Sequence, residues 1–398
     1  MLIINRLSGG GYGPNYQGRN DPRLQSLDLL RFPLALAVVF GHVYVFRDFT
    51  IKGVLKTIED FPVFAEVEMF VRAFLEGYSV PVFFFISGFL FFLGVDLSKN
   101  VYINKLKRRI STLIVPYIIW NFIAMGIVLI KVLPCFSSLS PYEDVKVNLS
   151  PLNIFSCFWV YDGGLTTIEY ATDAMPQEIV RHASPINGPL WYIRNLIIAV
   201  VFSPLLYWLI KRTKYYSVIL LGVLWFFFAY FHIDEFIYRL FITFFFFSWG
   251  SYIAIHDRDL VDCFGRFFRS SMILYPFLGA FCMLSMHFFP EASGTLKRLN
   301  ILIAPVFAYN LAYWLLTHNI CKVNSFLVSA SMFVYISHSI LLGPIKTILQ
   351  KVISPNCDSS LLIVYTLALI LDVSVLLLAL YLMRRFTPGL LKVVAGRK

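Results

Sequence analysis

Ten long apolar segments limit what this chain can fold into more than any other feature of its sequence. Each approaches the about 20 residues with which a helix crosses the hydrocarbon core of a bilayer. Open strands cannot cross lipid, because their backbone N–H and C=O groups would stay unpaired. The sequence therefore predicts an all-α fold, a polytopic transmembrane helical bundle of about ten spans. The predicted spans are residues 28–47, 69–95, 111–133, 190–210, 215–231, 236–255, 271–289, 299–317, 323–345 and 360–383.

The composition supports a location in the membrane. Hydrophobic residues make up 58% of the chain and charged residues only 14%, whereas soluble proteins average about 45–50% apolar and about 25% charged residues. A soluble fold could not bury this much apolar surface. The net charge of +11 is concentrated in short loops between the spans. This pattern is typical of the cytoplasmic loops of membrane proteins and does not indicate nucleic-acid binding.

Loop charge also predicts the orientation of the chain. With the N-terminus in the cytoplasm, the inner segments carry about twice as many Lys and Arg residues as the outer segments, as the positive-inside rule requires. Both termini are then cytoplasmic. The chain divides into a flexible N-terminal tail at 1–26, a transmembrane domain at 27–385 and a C-terminal tail at 386–398. The long loop at 134–189 is predicted to lie outside and to act as a lid or a binding loop.

Arg31 and His42 form an ionisable pair in the first predicted span. Eleven positions make about three helical turns, so the two side chains share one face and lie about 16 Å apart along the axis. Ionisable groups inside a span are costly and are therefore functional candidates. A neutral imidazole can take a proton from a hydroxyl, and a guanidinium suits phosphate. The alternatives are a structural histidine and an interfacial arginine paired with Asp28.

The segment Lys99–Arg109 is strongly basic and precedes the third predicted span. Lys105 and Arg108 are three residues apart and are expected to share one side of a helix. Arg109 widens this basic patch. The positive-inside rule alone explains a basic loop, but a phosphate-rich ligand that enters from the cytoplasm would need the same cluster.

Two later segments add candidate substrate-binding residues. Trp191 and Tyr192 open the fourth span, where aromatic rings either anchor a helix at the membrane interface or stack on a sugar. His338 places a second imidazole in the ninth span, as a structural or a substrate-binding residue. Asp372 lies midway along the tenth span and requires a buried partner, for which His338 or a tyrosine would serve.

Motifs of several other chemistries are absent from the sequence. The six cysteines show no C-x-x-C spacing, and there is no H-E-x-x-H, G-x-S-x-G or G-x-x-x-x-G-K-[ST] motif. No metal site and no resident cofactor are predicted. Ser87 and Gly88 are expected to permit close helix packing and not to supply a nucleophile.

Together these motifs resemble the acyltransferase 3 family, the integral-membrane acyltransferases that acylate cell-surface glycans. Arg31, ten further residues and His42 are similar to the first-span signature of that family. Lys105 stands where the family usually has arginine. The other similar segments are Phe83-Phe84-Phe85-Ile86-Ser87-Gly88-Phe89-Leu90, Lys105 to Arg109 with Pro116-Tyr117 and Trp120, Pro189-Leu190-Trp191-Tyr192, and Tyr335-Ile336-Ser337-His338.

The resemblance implies an acyl-CoA donor, expected to be acetyl-CoA, on the cytoplasmic side of a bacterial inner membrane. It implies a carbohydrate acceptor, which is a polysaccharide of the cell surface or its lipid-linked precursor, and polysaccharide synthesis or export machinery as a candidate partner. His42 would remove the proton of the acceptor hydroxyl or carry the acyl group itself. CoA phosphates would contact Arg31, Lys105, Arg108 and Arg109, and the acceptor would contact Trp191, Tyr192 and His338.

Two interpretations without acyl transfer stay open at this point. An exporter or flippase for a lipid-linked glycan would use the same basic entrance and aromatic lining, but it would neither bind CoA nor cleave a thioester. A structural subunit of a polysaccharide synthase would tolerate replacement of Arg31 and His42.

Overall fold

The computed structural model describes residues 21–46, 48–51, 53–75, 77–131, 145–161, 166–168, 183–231 and 233–396. The predicted all-α bundle is confirmed, because 82% of the structure is helical. The first helices are α1 Pro22–Val43, α2 Pro62–Phe74, α3 Ser79–Phe92, α4 Lys99–Arg109, α5 Val115–Lys131, α6 Pro151–Phe158, α7 Trp191–Val201 and α8 Ser203–Thr213. The remaining helices are α9 Tyr215–Phe228, α10 Glu235–Ile255, α11 Leu260–Phe264, α12 Phe268–Phe288, α13 Pro290–Thr317, α14 Ser325–Ile353, α15 Asp358–Phe386 and α16 Pro388–Val394.

Strands contribute only two small antiparallel hairpins within the described residues. Strand β1 Phe49–Ile51 pairs with β2 Val54–Lys56, and β3 Val145–Val147 pairs with β4 Thr166–Ile168. The first hairpin follows the end of α1, and the second lies in the segment predicted as the long loop. Neither hairpin is long enough to cross a bilayer.

Eight helical segments of the described chain are long and apolar enough to span a membrane. Helices α7 and α8 pass the same test as a pair but are bent by 63° at their junction. Pro204 lies in the first turn of α8, where its missing N–H prevents a continuous helix. Helix α9 has only 14 residues. Each predicted segment contains helix, but 69–95 includes the end of α2 and all of α3, and 190–210 covers the bent pair α7 and α8. The number of full crossings stays a prediction.

Helix α1 begins earlier than the predicted first span. The carboxylate of Asp21 accepts a hydrogen bond from the backbone N–H of Arg23 at 2.9 Å, which is a helix N-cap, and Pro22 suits the first helical position. Residues 22–26 of the segment predicted as a tail are thus helical. The predicted C-terminal tail contains α16, and the indole of Trp120 donates to the Val394 carbonyl at 2.8 Å.

Helices α3 and α10 touch through their backbones at two glycines. A Cβ atom on Gly88 would lie 2.0 Å from the carbonyl oxygen of Phe247, and a Cβ atom on Gly250 would lie 2.0 Å from that of Phe85. Small residues permit this approach where helices pack in lipid. Gly88 therefore serves helix packing, as the sequence predicts.

Helix α1 lies between two hydrophobic cores. Residues Leu27 and Leu34, nearer its N-terminus, belong to a core with α3, α7, α10 and α13. Residues Val39 and Val43, nearer its C-terminus, belong to a core with α2, α14 and α15. Arg31 therefore lies in the part of α1 that packs on the first core, and His42 lies in the part that packs on the second.

Candidate active site

Cationic side chains from two helices meet at the Arg31 end of α1. The Nε atom of Arg31 is 3.3 Å from Oδ1 of Asp28, and their side chains are 15% and 19% exposed. The ion pair expected for an interfacial arginine is thus present. Arg31 also interacts electrostatically with Arg109 of α4 and with Tyr192 of α7. This end of α1 is therefore an electropositive site formed by residues far apart in sequence.

The basic helix α4 turns only part of its charge toward this site. Lys105 donates a hydrogen bond to the Phe91 carbonyl, and its Nζ lies 4.6 Å from the centroid of the Phe91 ring. The guanidinium carbon of Arg109 is 5.8 Å from the same ring. Both side chains are half-buried, whereas Arg108 and Lys107 are exposed. Lys105 thus shares its inward side with Arg109, four residues on, and not with Arg108.

An aromatic row continues from the cations toward α14. Tyr192 is buried, and its hydroxyl lies 3.1 Å from the Ser87 hydroxyl. The Tyr192 ring centroid is 5.4 Å from that of Tyr335, which in turn is 6.3 Å from that of His338. The Tyr335 hydroxyl donates to the Pro189 carbonyl at 2.6 Å. The row joins α3, α7 and α14 in one continuous contact.

Two imidazoles meet at the other end of this row. The ring centroids of His42 and His338 are 5.2 Å apart. His338 is fully buried, and its Nδ1 lies 2.8 Å from the Tyr335 carbonyl. A carbonyl can only accept, so Nδ1 carries the proton and Nε2 is left as the acceptor. Nε2 has no hydrogen-bond partner among the described residues. The His42 side chain is exposed at the surface of the chain.

The structure thus brings Arg31 and His42 to opposite ends of one connected row. From the His42 end, ring contacts pass through His338 and Tyr335 to Tyr192, which lies within electrostatic range of Arg31 and Arg109. The helical spacing of Arg31 and His42 predicted a shared face, and the tertiary contacts supply the groups that this face meets. The roles assigned to these residues stay predictions.

Trp191 packs against a cation that is not among the site residues predicted from the sequence. The guanidinium carbon of Arg239 lies 4.7 Å from the Trp191 ring centroid. Arg239 also donates to the Ser184 hydroxyl at 2.6 Å and to the Ala183 carbonyl at 3.3 Å. A signal for it existed, because Arg239 is the only charged residue in the predicted span 236–255. One face of Trp191 is therefore occupied by protein.

Asparagine and serine side chains fix the start of α7 against α14. The side-chain amide of Asn187 donates to the Ile336 carbonyl at 3.2 Å, and its oxygen accepts from Ser339 at 2.7 Å. The Asn187 backbone N–H donates to Asn121 of α5 at 3.2 Å. These bonds set the position of Trp191 and Tyr192 relative to His338.

Asp372 of α15 stays outside this network. It is fully buried, and neither carboxyl oxygen has a hydrogen-bond partner among the described residues. The partners expected from the sequence, His338 or a tyrosine, therefore make no hydrogen bond to it. Within the described ranges, no three His, Cys, Asp or Glu residues are placed to hold a metal ion. Most of the predicted lid at 134–189 lies outside the described residues.

The fold and the site together define a class: a polytopic membrane protein that encloses ionisable groups in one connected row. The family described as "Acyltransferase domain", the acyltransferase 3 family, matches residues 24–384. Because the match covers nearly the whole chain, the chain belongs to this family and is a membrane acyltransferase. The resemblance drawn from the motifs is confirmed. No curated protein and no solved structure matches the chain.

Proposed function

We propose that this protein transfers an acyl group, expected to be acetyl, from acyl-CoA to a hydroxyl of a cell-surface or exported polysaccharide or of its lipid-linked precursor. The observation that carries this proposal is the row that joins a cationic cluster at Arg31 to an imidazole pair at His42. A donor with a phosphate-rich head and a reactive thioester fits these two ends. Family membership supports acyl transfer to a glycan, and the acetyl group is part of the proposal.

The cationic cluster supplies the attraction for the donor. Arg31 and Arg109 offer planar guanidinium groups, which can donate paired hydrogen bonds to phosphate oxygens. Lys105 adds a point charge on the same side of α4. The long pantetheine arm would then extend along the row toward His42. In the predicted orientation this cluster faces the cytoplasm, where acyl-CoA is found.

The imidazole pair supplies the proton transfer. His42 takes the proton of the acceptor hydroxyl as its oxygen attacks the thioester carbonyl. The new C–O bond forms, the C–S bond breaks, and the proton passes to the departing CoA thiolate. The hydrogen bond from His338 Nδ1 to the Tyr335 carbonyl holds the His338 ring in one orientation beside His42. The acceptor would contact Trp191 and Tyr192, of which Tyr192 belongs to the same row.

The decisive experiment follows labelled acyl groups. Membranes that contain the protein are incubated with radiolabelled acetyl-CoA and the glycans of the producing cell, and label in the glycan is measured. We expect glycan label and release of free CoA, both absent from membranes without the protein. An exporter or a structural subunit would neither label the glycan nor release CoA. CoA release without glycan label would contradict the carbohydrate acceptor, and no CoA release would contradict the whole proposal.

Donor binding gives a separate prediction with a control on the same helix. The Arg109→Gln variant is expected to raise the KM for acyl-CoA about tenfold with little change in kcat, because a charge-assisted bond to a ligand contributes about 1.5–3 kcal/mol. Arg108→Gln should stay close to the wild type, because the Arg108 side chain is exposed. Steady-state kinetics with varied acetyl-CoA measure both. Equal increases in KM for the two variants would show that donor binding depends only on the overall charge of α4.

A further inference from the structure

A lysine of α14 binds the C-terminal end of α1. Nζ of Lys346 donates hydrogen bonds to the carbonyls of Val43 and Val45, each at 3.1 Å. It also lies 3.9 Å from the centroid of the Tyr365 ring of α15. A lysine near the end of an apolar helix commonly extends toward the membrane surface. This one is half-buried and is directed into the protein.

The position of this contact matters because α1 ends at Val43, one residue beyond His42. The last four carbonyls of a helix lack partners within the helix, and helix ends fray. Val43 carries one of these carbonyls, and Val45 lies two residues further on, just past the C-cap Tyr44. Two hydrogen bonds from one ammonium group tie both, and a cation at a helix C-terminus is favoured by the helix dipole.

The same helix also carries the partner of His42. His338 and Lys346 are eight residues apart on α14, about two turns, and both contact the last part of α1. The last part of α1 is therefore held at two places on α14, by the ring contact of His42 with His338 and by the hydrogen bonds from Lys346, with Pro344 between them on α14. The geometry points to Lys346 as a positioning residue that holds the last turn of α1, and with it His42, against His338. This inference rests on the proposed transfer reaction at His42.

Packing at this end of α1 does not depend on the lysine charge alone. The Tyr44 hydroxyl lies 3.1 Å from the Thr366 hydroxyl of α15, and the Tyr44 ring is 6.0 Å from the Phe64 ring of α2. Loss of the ammonium group should therefore leave α1 inserted and packed. The loss should instead displace the last turn of α1, and a reaction at His42 is sensitive to that displacement.

The test uses the full chain in membranes and three variants of α14. Lys346→Met keeps the apolar stem and removes the donors, Lys346→Arg keeps donors and charge, and Lys351→Met removes an exposed lysine from the same helix. We expect Lys346→Met to lower kcat at least about tenfold, since misplacement of a reacting group by about 1 Å can cost about 100-fold. The KM for acetyl-CoA should stay within about twofold, because the cationic cluster lies at the other end of the row. Lys346→Arg should recover most of the rate, and Lys351→Met should match the wild type.

A second readout does not require transfer. Diethyl pyrocarbonate modifies accessible imidazoles, and mass spectrometry gives the rate at His42. We expect this rate to change in Lys346→Met and to return toward the wild-type value in Lys346→Arg.

If the Met variant does not reach the membrane, Lys346→Gln is measured in the same way. A Lys346→Met or Lys346→Gln protein with wild-type kcat and wild-type His42 modification overturns the inference, as does a lost rate that Arg does not restore. A wild-type protein without any transfer contradicts the proposed function, while the modification rates still test the positioning.

Discussion

Membranes that contain the His42→Ala variant are expected to transfer acyl groups at least about 100-fold more slowly than wild-type membranes, because a positioned general base contributes about 100- to 10,000-fold. The variant removes the imidazole that contacts His338 at 5.2 Å between ring centroids but leaves the cationic cluster intact. Acetyl-CoA binding should therefore persist. The initial rate of label transfer and equilibrium binding of acetyl-CoA measure the two effects separately.

The control for this variant is His318→Ala. His318 lies just beyond α13, is exposed, and donates a hydrogen bond from Nδ1 to the Trp314 carbonyl at 2.9 Å. Its loss should leave transfer unchanged. Near-normal turnover by intact His42→Ala protein would exclude His42 both as the base and as a carrier of the acyl group. Label that remains covalently attached to a His42 peptide of the wild type would show that His42 carries the acyl group.

The second large effect is expected from Gly88→Ala. The added Cβ atom would lie 2.0 Å from the Phe247 carbonyl oxygen and 2.9 Å from the Ser251 hydroxyl, so α3 and α10 cannot keep their present separation. Both contacts involve buried groups that have no room to move. Overpacking in a well-packed core typically costs about 1–3 kcal/mol and occasionally more, and we expect this clash to reach or exceed the upper end. Yield of monodisperse protein in detergent and the midpoint of thermal unfolding measure it.

Gly126→Ala is the matched control for this prediction. Gly126 lies within α5, and an added Cβ atom there would meet nothing within 4 Å. Alanine is favoured over glycine inside a helix by up to about 1 kcal/mol, so this variant should be at least as stable as the wild type. If Gly88→Ala and Gly126→Ala unfold at the same temperature, the close contact of α3 with α10 does not limit stability.

Several residues of the candidate site follow from local sequence rules. Arg31 and His42 share a helical face because of their spacing, and both stand out because charge is costly inside an apolar span. Tyr192 and His338 were selected from short motifs, and the structure places both in the row that joins Arg31 to His42. The family resemblance rests on the same residues and is confirmed over 24–384.

Other parts of the site depend on contacts that no local rule reveals. Spacing in α4 favoured Arg108 as the partner of Lys105, whereas the fold turns Arg109 inward, because the orientation of the helix is set by its packing on Phe91. Arg239 was visible as a lone charge in an apolar span, but its place over Trp191 depends on how α10 packs on α7. In the sequence, Lys346 does not differ from other lysines predicted in outer loops. Only its contact with the end of α1 suggests a positioning role.

Segment length, apolar content and motif spacing are properties of the chain alone, so they predict a helical membrane protein, the approximate place of most of its helices and its family. Which faces of those helices meet depends on tertiary contacts. In lipid, a helix face that packs on protein and a face that contacts hydrocarbon are both apolar, so hydrophobic periodicity does not distinguish them. The pairing of His42 with His338, the glycine contact of α3 with α10 and the hydrogen bonds of Lys346 to α1 therefore follow only from the folded arrangement.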